Sequence, residues 1–307
     1  MRCVVLGGCG FIGAHVVDVL VAAGHDVCAV SRRPEALRGP VPGVDYRLVD
    51  YRDREALSKA FVDCDAVFHM ISATTPGSGD LNPVGDVEDN LIATLGVLDL
   101  MLERGISRLI YVSSGGAVYG EPDHVPIPEG HPLRPINSYG IVKAAIESYV
   151  ELYARTKGLS PVILRPSNAY GAQQGRVGTQ GLVNTLLHRA LRDQPVSIWS
   201  DGSIVRDYLH VHDLARLALQ ACESGVTGVF NAGSGVPVSV RELIALVSEV
   251  TGRELTVEYG PQRSVDVPVS VLDISKARKV FGWSPEIALR DGLAQTWAWH
   301  QETFVAK

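Results

Sequence analysis

The stretch "VLGGCGFIGAHV", residues 5–16, sets glycine at every third position, Gly7, Gly10 and Gly13, almost at the start of the chain. An apolar, β-rich run, "RCVVLG", leads into it, helical spacing begins near Phe11, and a second strand-like run, "DVCAVS", follows at residues 26–31. A strand that passes into a helix over so few residues must turn sharply, and glycine, lacking Cβ, lets the backbone do so and lets another group come close. The free amides and dipole at the start of that helix favour a negatively charged ligand such as a diphosphate. A tight turn that binds nothing would use the same glycines; the βαβ setting is what points to a dinucleotide.

That setting continues along the chain. Residues 2–7, 26–31, 44–50, 66–71, 108–114 and 161–166 read as strands, and the segments between them, such as 11–23 and 84–104, carry helical spacing. A βαβ series predicts an α/β fold: a Rossmann-like, doubly wound parallel sheet with both faces covered. Residues 1–166 are expected to form the dinucleotide-binding domain. Beyond Pro166 the pattern turns irregular, which predicts a smaller C-terminal substrate-binding α/β lobe over 167–307, with the segment at about 207–235 returning to the sheet and an amphipathic stretch, 288–303, closing the chain.

Charge and cysteine usage exclude several classes of partner. The net charge is −6 and no run of Lys or Arg occurs, so no surface for nucleic acid is expected. No apolar stretch approaches the roughly 20 residues that span a bilayer, and Met1-Arg2 leads directly into strand-like sequence, so no membrane association and a cytoplasmic location are expected. Five cysteines (Cys3, Cys9, Cys28, Cys64, Cys222) without C-x-x-C spacing read as buried thiols. His210 and His212 alternate as on a strand, but no third ligand is in view, and no metal is expected. His69, in an apolar strand, reads as a packed core histidine.

The residues suited to chemistry lie in "SYGIVKAA", residues 138–145, where Tyr139 and Lys143 are four apart and share one helix face. A free tyrosine, with a pKa of about 10, is a poor base at neutral pH. A neighbouring ammonium favours the phenolate, so Lys143 can tune Tyr139 into a general acid/base while reaching a cofactor ribose. Upstream, "YVSSGGAVYG" (111–120) ends a strand, where open α/β sheets gather their ligand groups.

The G-x-x-G-x-x-G spacing of "GGCGFIG" resembles the short-chain dehydrogenase/reductase superfamily, and its extended branch of NAD(P)-dependent nucleotide-sugar epimerases and dehydratases, UDP-glucose 4-epimerase-like, above all; with Tyr139 and Lys143 the resemblance runs to about Trp299. It implies cofactor contacts at Gly7, Gly10, Phe11, Ile12 and Gly13, at Asp50 and Tyr51 beside the adenine, at Asn90, and at Tyr139 and Lys143. "SSGGAVYG" resembles the stretch whose Ser or Thr hydrogen-bonds the reacting sugar hydroxyl. The position four before Tyr119, which carries that serine in many of these enzymes, is Gly115 here, so Ser114 is assigned the role, with Ser113 in reserve. "LRPSNAYGAQQ" implies Asn168 as a diphosphate contact, "SDGSIVRDYLHVHD" implies Arg206, and "PQRSVDVP" implies Arg263 with Asp266. "ISATT" stands where the family usually has an alanine pair; Thr74 is taken as the substrate contact among Ser72 to Thr75. Residues 87–103 and 139–156 resemble the helices of a homodimer interface.

Two chemistries share this machinery. A 4-epimerase withdraws hydride from C4 of a UDP- or dTDP-hexose and returns it to the other face; an NADPH-dependent reductase delivers hydride once to an NDP-4-keto-6-deoxyhexose. A dehydratase is disfavoured by Gly116 and Ala117, where dehydratases carry an Asp-Glu pair, and a non-catalytic dinucleotide-binding regulator would be expected to lack Tyr139 or Lys143. The whole pattern places the epimerase first. The cofactor is NAD(P), with NADP(H) favoured: the second strand ends in Ser31, Arg32 and Arg33 rather than in an acid that would repel a 2′-phosphate.

Overall fold

The alternation of apolar residues on each strand sets the architecture. In β1 (Arg2–Leu6), Cys3 and Val5 enter one apolar core while Val4 and Leu6 enter another on the opposite face. In β2 (Asp26–Ser31), Val27 and Ala29 divide from Cys28 and Val30 in the same way. A strand apolar on both faces is stable only between two layers of helices. The computed structural model, which describes residues 1–32, 39–174, 181–261 and 267–304, shows that arrangement.

Seven parallel strands form the main sheet: β1, β2, β3 (Asp45–Leu48), β4 (Ala66–His69), β5 (Arg108–Val112), β6 (Ser160–Pro166) and β10 (Gly228–Ala232), in the order 3-2-1-4-5-6-10. Helices Phe11–Ala22 and Val211–Glu223 cover one face; Arg54–Ala60, Ala93–Glu103 and Ser138–Lys157 cover the other. The strand order reverses between β1 and β4, the place where open α/β sheets hold their ligands at the carboxyl ends of the strands. The strand β10 pairs in register with β6, Phe230 opposite Leu164, so the chain leaves the sheet after β6 and comes back to it.

Outside the sheet, β9 (Val205–His210) pairs with β7 (Asn168–Tyr170) and β13 (Val269–Ser270) in parallel and with β11 (Pro237–Ser239) antiparallel. A separate pair, β8 (Val196–Ile198) and β12 (Val257–Tyr259), lies with helices Leu182–Leu191, Val240–Thr251 and Leu289–Phe304 over a third core. Asp207, with 0% exposure, ties these pieces to the sheet. Its carboxylate accepts from the hydroxyl of Ser167, from the backbone and hydroxyl of Ser234, and from the amides of Gly235 and Leu272. Burial raises the pKa of this acid, and those donors work against the rise.

None of the five cysteines is in a disulfide; Cys3, Cys28 and Cys222 are buried, while Cys9 and Cys64 are partly exposed. Among the described residues no helix is long and apolar enough to cross a membrane.

Candidate functional site

The site is assembled by three close backbone approaches. At the first, Gly7 turns with φ +84°, Gly10 donates its N–H to the Gly7 carbonyl at 2.8 Å, and a Cβ on Gly13 would stand 2.1 Å from that same carbonyl. The helix Phe11–Ala22 can therefore begin directly against β1. Gly10 caps it without a side chain and no acid lies in its first turn, so its positive end is open to an anionic ligand. This bare loop fits a dinucleotide diphosphate, and Phe11 and Ile12 begin the helix that would face it.

The second approach is at β5. Ser114 caps the short helix Gly115–Val118, and a Cβ on Gly115 would meet Leu272 at 2.7 Å and the Arg165 carbonyl at 3.0 Å. There is no room for a side chain at 115, which leaves the hydroxyl to Ser114; Ser113 is buried, at 2% exposure. The third approach brings in the helix Ser138–Lys157, capped by Asn137 accepting from the Gly140 N–H at 2.8 Å. A Cβ on Gly140 would lie 2.6 Å from the Ala117 carbonyl, so this helix start rests on the Ser114 turn.

The result is a cluster on the Tyr139 phenol. Lys143 Nζ lies 5.8 Å from the centre of its ring, the Ser114 hydroxyl belongs to the same cleft, and Ser72 stands on the loop after β4. Burial raises the phenol pKa, the two serines oppose that rise, and the charge on Asp86 adds to it. Lys143, 3% exposed, donates to the Val112 carbonyl at 3.0 Å and lies 5.0 Å from the Tyr111 ring centre. Burial lowers its pKa to about 8, against the pull of Glu147 and Asp86. His69 sits below, its Nε2 3.1 Å from the Thr94 hydroxyl, and burial followed by the Lys143 charge pushes its pKa down to about 3. Such a histidine is neutral and far from acid/base use at pH 7.

Beside Tyr139 runs a cleft of about 410 Å³ lined by, among others, Ser114, Tyr139, Asn168, Trp199, Arg206 and Tyr208. The structure thus brings four of the assigned substrate and catalytic residues to one cavity of the size of a small-molecule site. Asn168 also donates to the Asp207 carbonyl at 3.1 Å, and Arg206 to the Val205 carbonyl at 2.9 Å. Arg33, Arg263 and Asp266 lie outside the described residues.

Other assigned residues stand elsewhere. Thr74 donates its hydroxyl to Asp86 at 2.7 Å and accepts from Asn90 at 3.2 Å; it faces the protein rather than the cleft lining. Asn90, 5% exposed, accepts from the Ala73 amide at 2.8 Å and donates to Asp86 at 2.9 Å, so it holds the loop after β4. Asp50 is held below the usual carboxylate range by Arg52, which also pairs with Asp89. Tyr51 donates to the Asp89 carbonyl. Ser31 ends β2, and the charge of Arg32 reaches both Asp50 and Tyr51. His210 packs edge-on to Tyr170, and no cluster of three or more His, Cys, Asp or Glu among the described residues could hold a metal.

Sequence reasoning passed over Asp86 and Trp199. Asp86 is 1% exposed and joins Thr74, Asn90 and Ser138; its one signal is the spacing of four to Asn90 on a shared helix face. Trp199, 51% exposed at the cleft, follows a strand of three residues, too short to announce itself.

Comparison with known proteins agrees with this geometry. The model of the NAD dependent epimerase/dehydratase family matches residues 3–233. A UDP-glucose 4-epimerase of Halalkalibacterium halodurans is 34% identical, the match covering 98% of this chain and 96% of that protein. Among solved structures, a UDP-glucose 4-epimerase of Thermotoga maritima with UDP-glucose has a TM-score of 0.92 at 36% identity, covering 99% of both chains. A UDP-glucose 4-epimerase of Thermus thermophilus in complex with NAD has a TM-score of 0.92 at 33% identity, covering 98% of this chain and 99% of that one.

Burial of Lys143 has a measurable consequence. Its folded pKa, about 8, lies below the 10.5 of a free lysine, so the folded protein binds fewer protons between those values and stability rises with pH across that window. Below about pH 8 the penalty is present in full. Lys143→Met is therefore expected to stabilise the protein at pH 7, by about 1–3 kcal/mol in chemical denaturation, with the gain vanishing toward pH 10.5. The same variant should lose at least about 10² in turnover if the ammonium serves Tyr139.

Proposed function

The chain belongs to the NAD dependent epimerase/dehydratase family, and on that premise we propose that it interconverts the C4 epimers of a UDP-hexose with Tyr139 as the acid/base. The observation that carries this reading is that Tyr139, with Lys143 buried beside its ring, shares with Ser114 the cleft that Asn168 and Arg206 line. A bound dinucleotide supplies the hydride acceptor and donor. Tyr139 takes the proton of the 4-hydroxyl as hydride leaves C4, Ser114 holds the same oxygen, and Lys143 stabilises the phenolate. The 4-keto sugar turns within the cleft, and Tyr139 returns the proton when hydride comes back to the other face. Arg206 grips the diphosphate, and the half-exposed indole of Trp199 offers a flat surface to the base.

Purified protein given UDP-galactose should form UDP-glucose with no net change in nicotinamide absorbance, and Tyr139→Phe should reduce the rate by about 10² or more while leaving dinucleotide binding intact. Stoichiometric consumption of NADPH with a 4-keto sugar, and no epimerisation, would replace this reading by that of a reductase.

The finer cofactor reading rests on the end of β2, where Ser31 and Arg32 stand in place of an acid. A hydroxyl and a guanidinium suit a 2′-phosphate, which supports NADP(H) over the NAD held by the Thermus thermophilus enzyme. In thermal-shift titrations of dinucleotide-free protein, NADP+ should bind several-fold tighter than NAD+; tighter NAD+ binding rejects the phosphate reading.

A homodimer is supported by Ile92, Ile141, Tyr149 and Leu152, which leave apolar surface on the packed helices Val87–Ile92 and Ser138–Lys157. Light scattering should then give about twice the 33.0 kDa chain mass.

A further inference from the structure

We propose that the aromatic face of Tyr111 is the platform on which the Lys143 ammonium rests, and that Tyr111 is thereby a positioning residue that keeps this buried lysine charged beside Tyr139. The kinetic part of the inference rests on the reading of Tyr139 as the acid/base.

An ammonium taken out of water is costly unless hydrogen bonds or opposite charges replace its hydration. Lys143 is 3% exposed, and the Val112 carbonyl accepts from its Nζ at 3.0 Å. Two acids pull on it, and each is engaged elsewhere. Glu147 holds Arg165 through both carboxylate oxygens, at 3.0 and 3.1 Å from Nε and 2.5 Å from Nη2. Asp86 accepts from Thr74, Ser138 and Asn90 at 2.7, 2.8 and 2.9 Å. Two aromatic rings stand at the ammonium itself, with the ring centre of Tyr111 at 5.0 Å and that of Tyr139 at 5.8 Å. The face of such a ring carries the negative part of its quadrupole, so a cation within about 6 Å is attracted, most strongly where water is excluded.

The nearer ring offers its face and little else. Tyr111 is 0% exposed, and its hydroxyl has no hydrogen-bond partner among the described residues. Burial keeps that phenol protonated well past the usual tyrosine range, so it supplies no anion. A T-shaped contact with His69, ring centres 5.5 Å apart at 85°, sets the ring from below, and His69 is in turn edge-on to Tyr51 at 6.0 Å. Because His69 is neutral, its pKa pushed down to about 3, this stack brings no second positive charge to the lysine.

Lys143 and Tyr139 titrate as a coupled pair. When the pair has lost one proton, it is either a neutral lysine with a phenol or an ammonium with a phenolate, and only the second can take the sugar proton. The ratio of these two forms does not change with pH. A platform that stabilises the ammonium favours the second form over the first, yet treats the fully protonated pair and the ammonium–phenolate pair alike. Loss of the platform is therefore silent at acid pH and costs active enzyme at alkaline pH. The other groups that bear on the lysine are Glu147 and Tyr139 from its own helix, Asp86 from the segment before Val87, His69 from β4, and Arg165, held by Glu147, from β6. A substitution at 111 leaves all of them in the chain.

The test compares wild type, Tyr111→Leu and Tyr111→Phe from about pH 5.5 to 9.5. The kcat of Tyr111→Leu should meet wild type at the acid end and fall about three- to tenfold below it at the alkaline end, reaching its plateau about one pH unit earlier. Tyr111→Phe keeps the face and should follow wild type throughout. In chemical denaturation of dinucleotide-free protein, Tyr111→Leu should be less stable than Tyr111→Phe at pH 6. The gap should narrow by about 1.4 kcal/mol between about pH 7 and 8, since the folded Leu variant gives up the Lys143 proton first. Against a Lys143→Met background the same gap should be equal at every pH. Should Tyr111→Leu not fold, Tyr111→Met carries the same comparison. A gap that stays constant with pH, or a kcat profile that overlies wild type or is lowered equally at all pH values, overturns the inference. A gap that narrows as expected, together with substantial turnover by Tyr139→Phe, sustains the platform and overturns the acid/base assignment instead.

Discussion

The molecule depends on how closely the first helix approaches the end of β1. Because Gly13 lies against the Gly7 carbonyl with no space for a methyl group, the helix Phe11–Ala22 starts where the strand stops. That contact sets one side of the point where the strand order reverses between β1 and β4, and on the other side lies the loop after β4, whose Ile71 packs close to Gly7. The Tyr139 helix reaches it through Asp86, and Ser114 through the glycine-thin packing of the turn after β5.

Placing Lys143 and Tyr139 there has an electrostatic cost. Both are pushed toward their neutral forms by burial, the amine downward to about 8 and the phenol upward, so the two are driven apart. Asp86 keeps the balance from tipping: it raises the proton affinity of both groups, while its own charge is met by Thr74, Asn90 and Ser138 rather than by Lys143 alone.

The strands of the sheet were legible because each is a short apolar run between turn residues, and the expected runs at 2–7, 26–31, 44–50, 66–71, 108–114 and 161–166 overlap β1 to β6 throughout. The glycine turn, Tyr139 and Lys143 were legible because their chemistry lies in local spacing. What could not be read depends on contacts across long stretches of chain. Val196–Ile198 pairs with Val257–Tyr259, and three-residue strands carry no period of their own. Asp86, in a helical stretch rich in acids, looks like any solvated carboxylate until the fold closes over it. The π-helical segment Val87–Ile92 interrupts what the sequence presents as one continuous helix at 84–104 and has no marker in the residues themselves.

Asp207 gathers to one carboxylate the points where the chain passes between the sheet and the outer lobe, at Ser167, at Ser234 and Gly235, and at Leu272. With these crossings riveted to one buried carboxylate, parting them means breaking several hydrogen bonds at once. Discrimination between ligands would fall to the side chains along the rim, exchangeable one at a time, with the rivet left untouched.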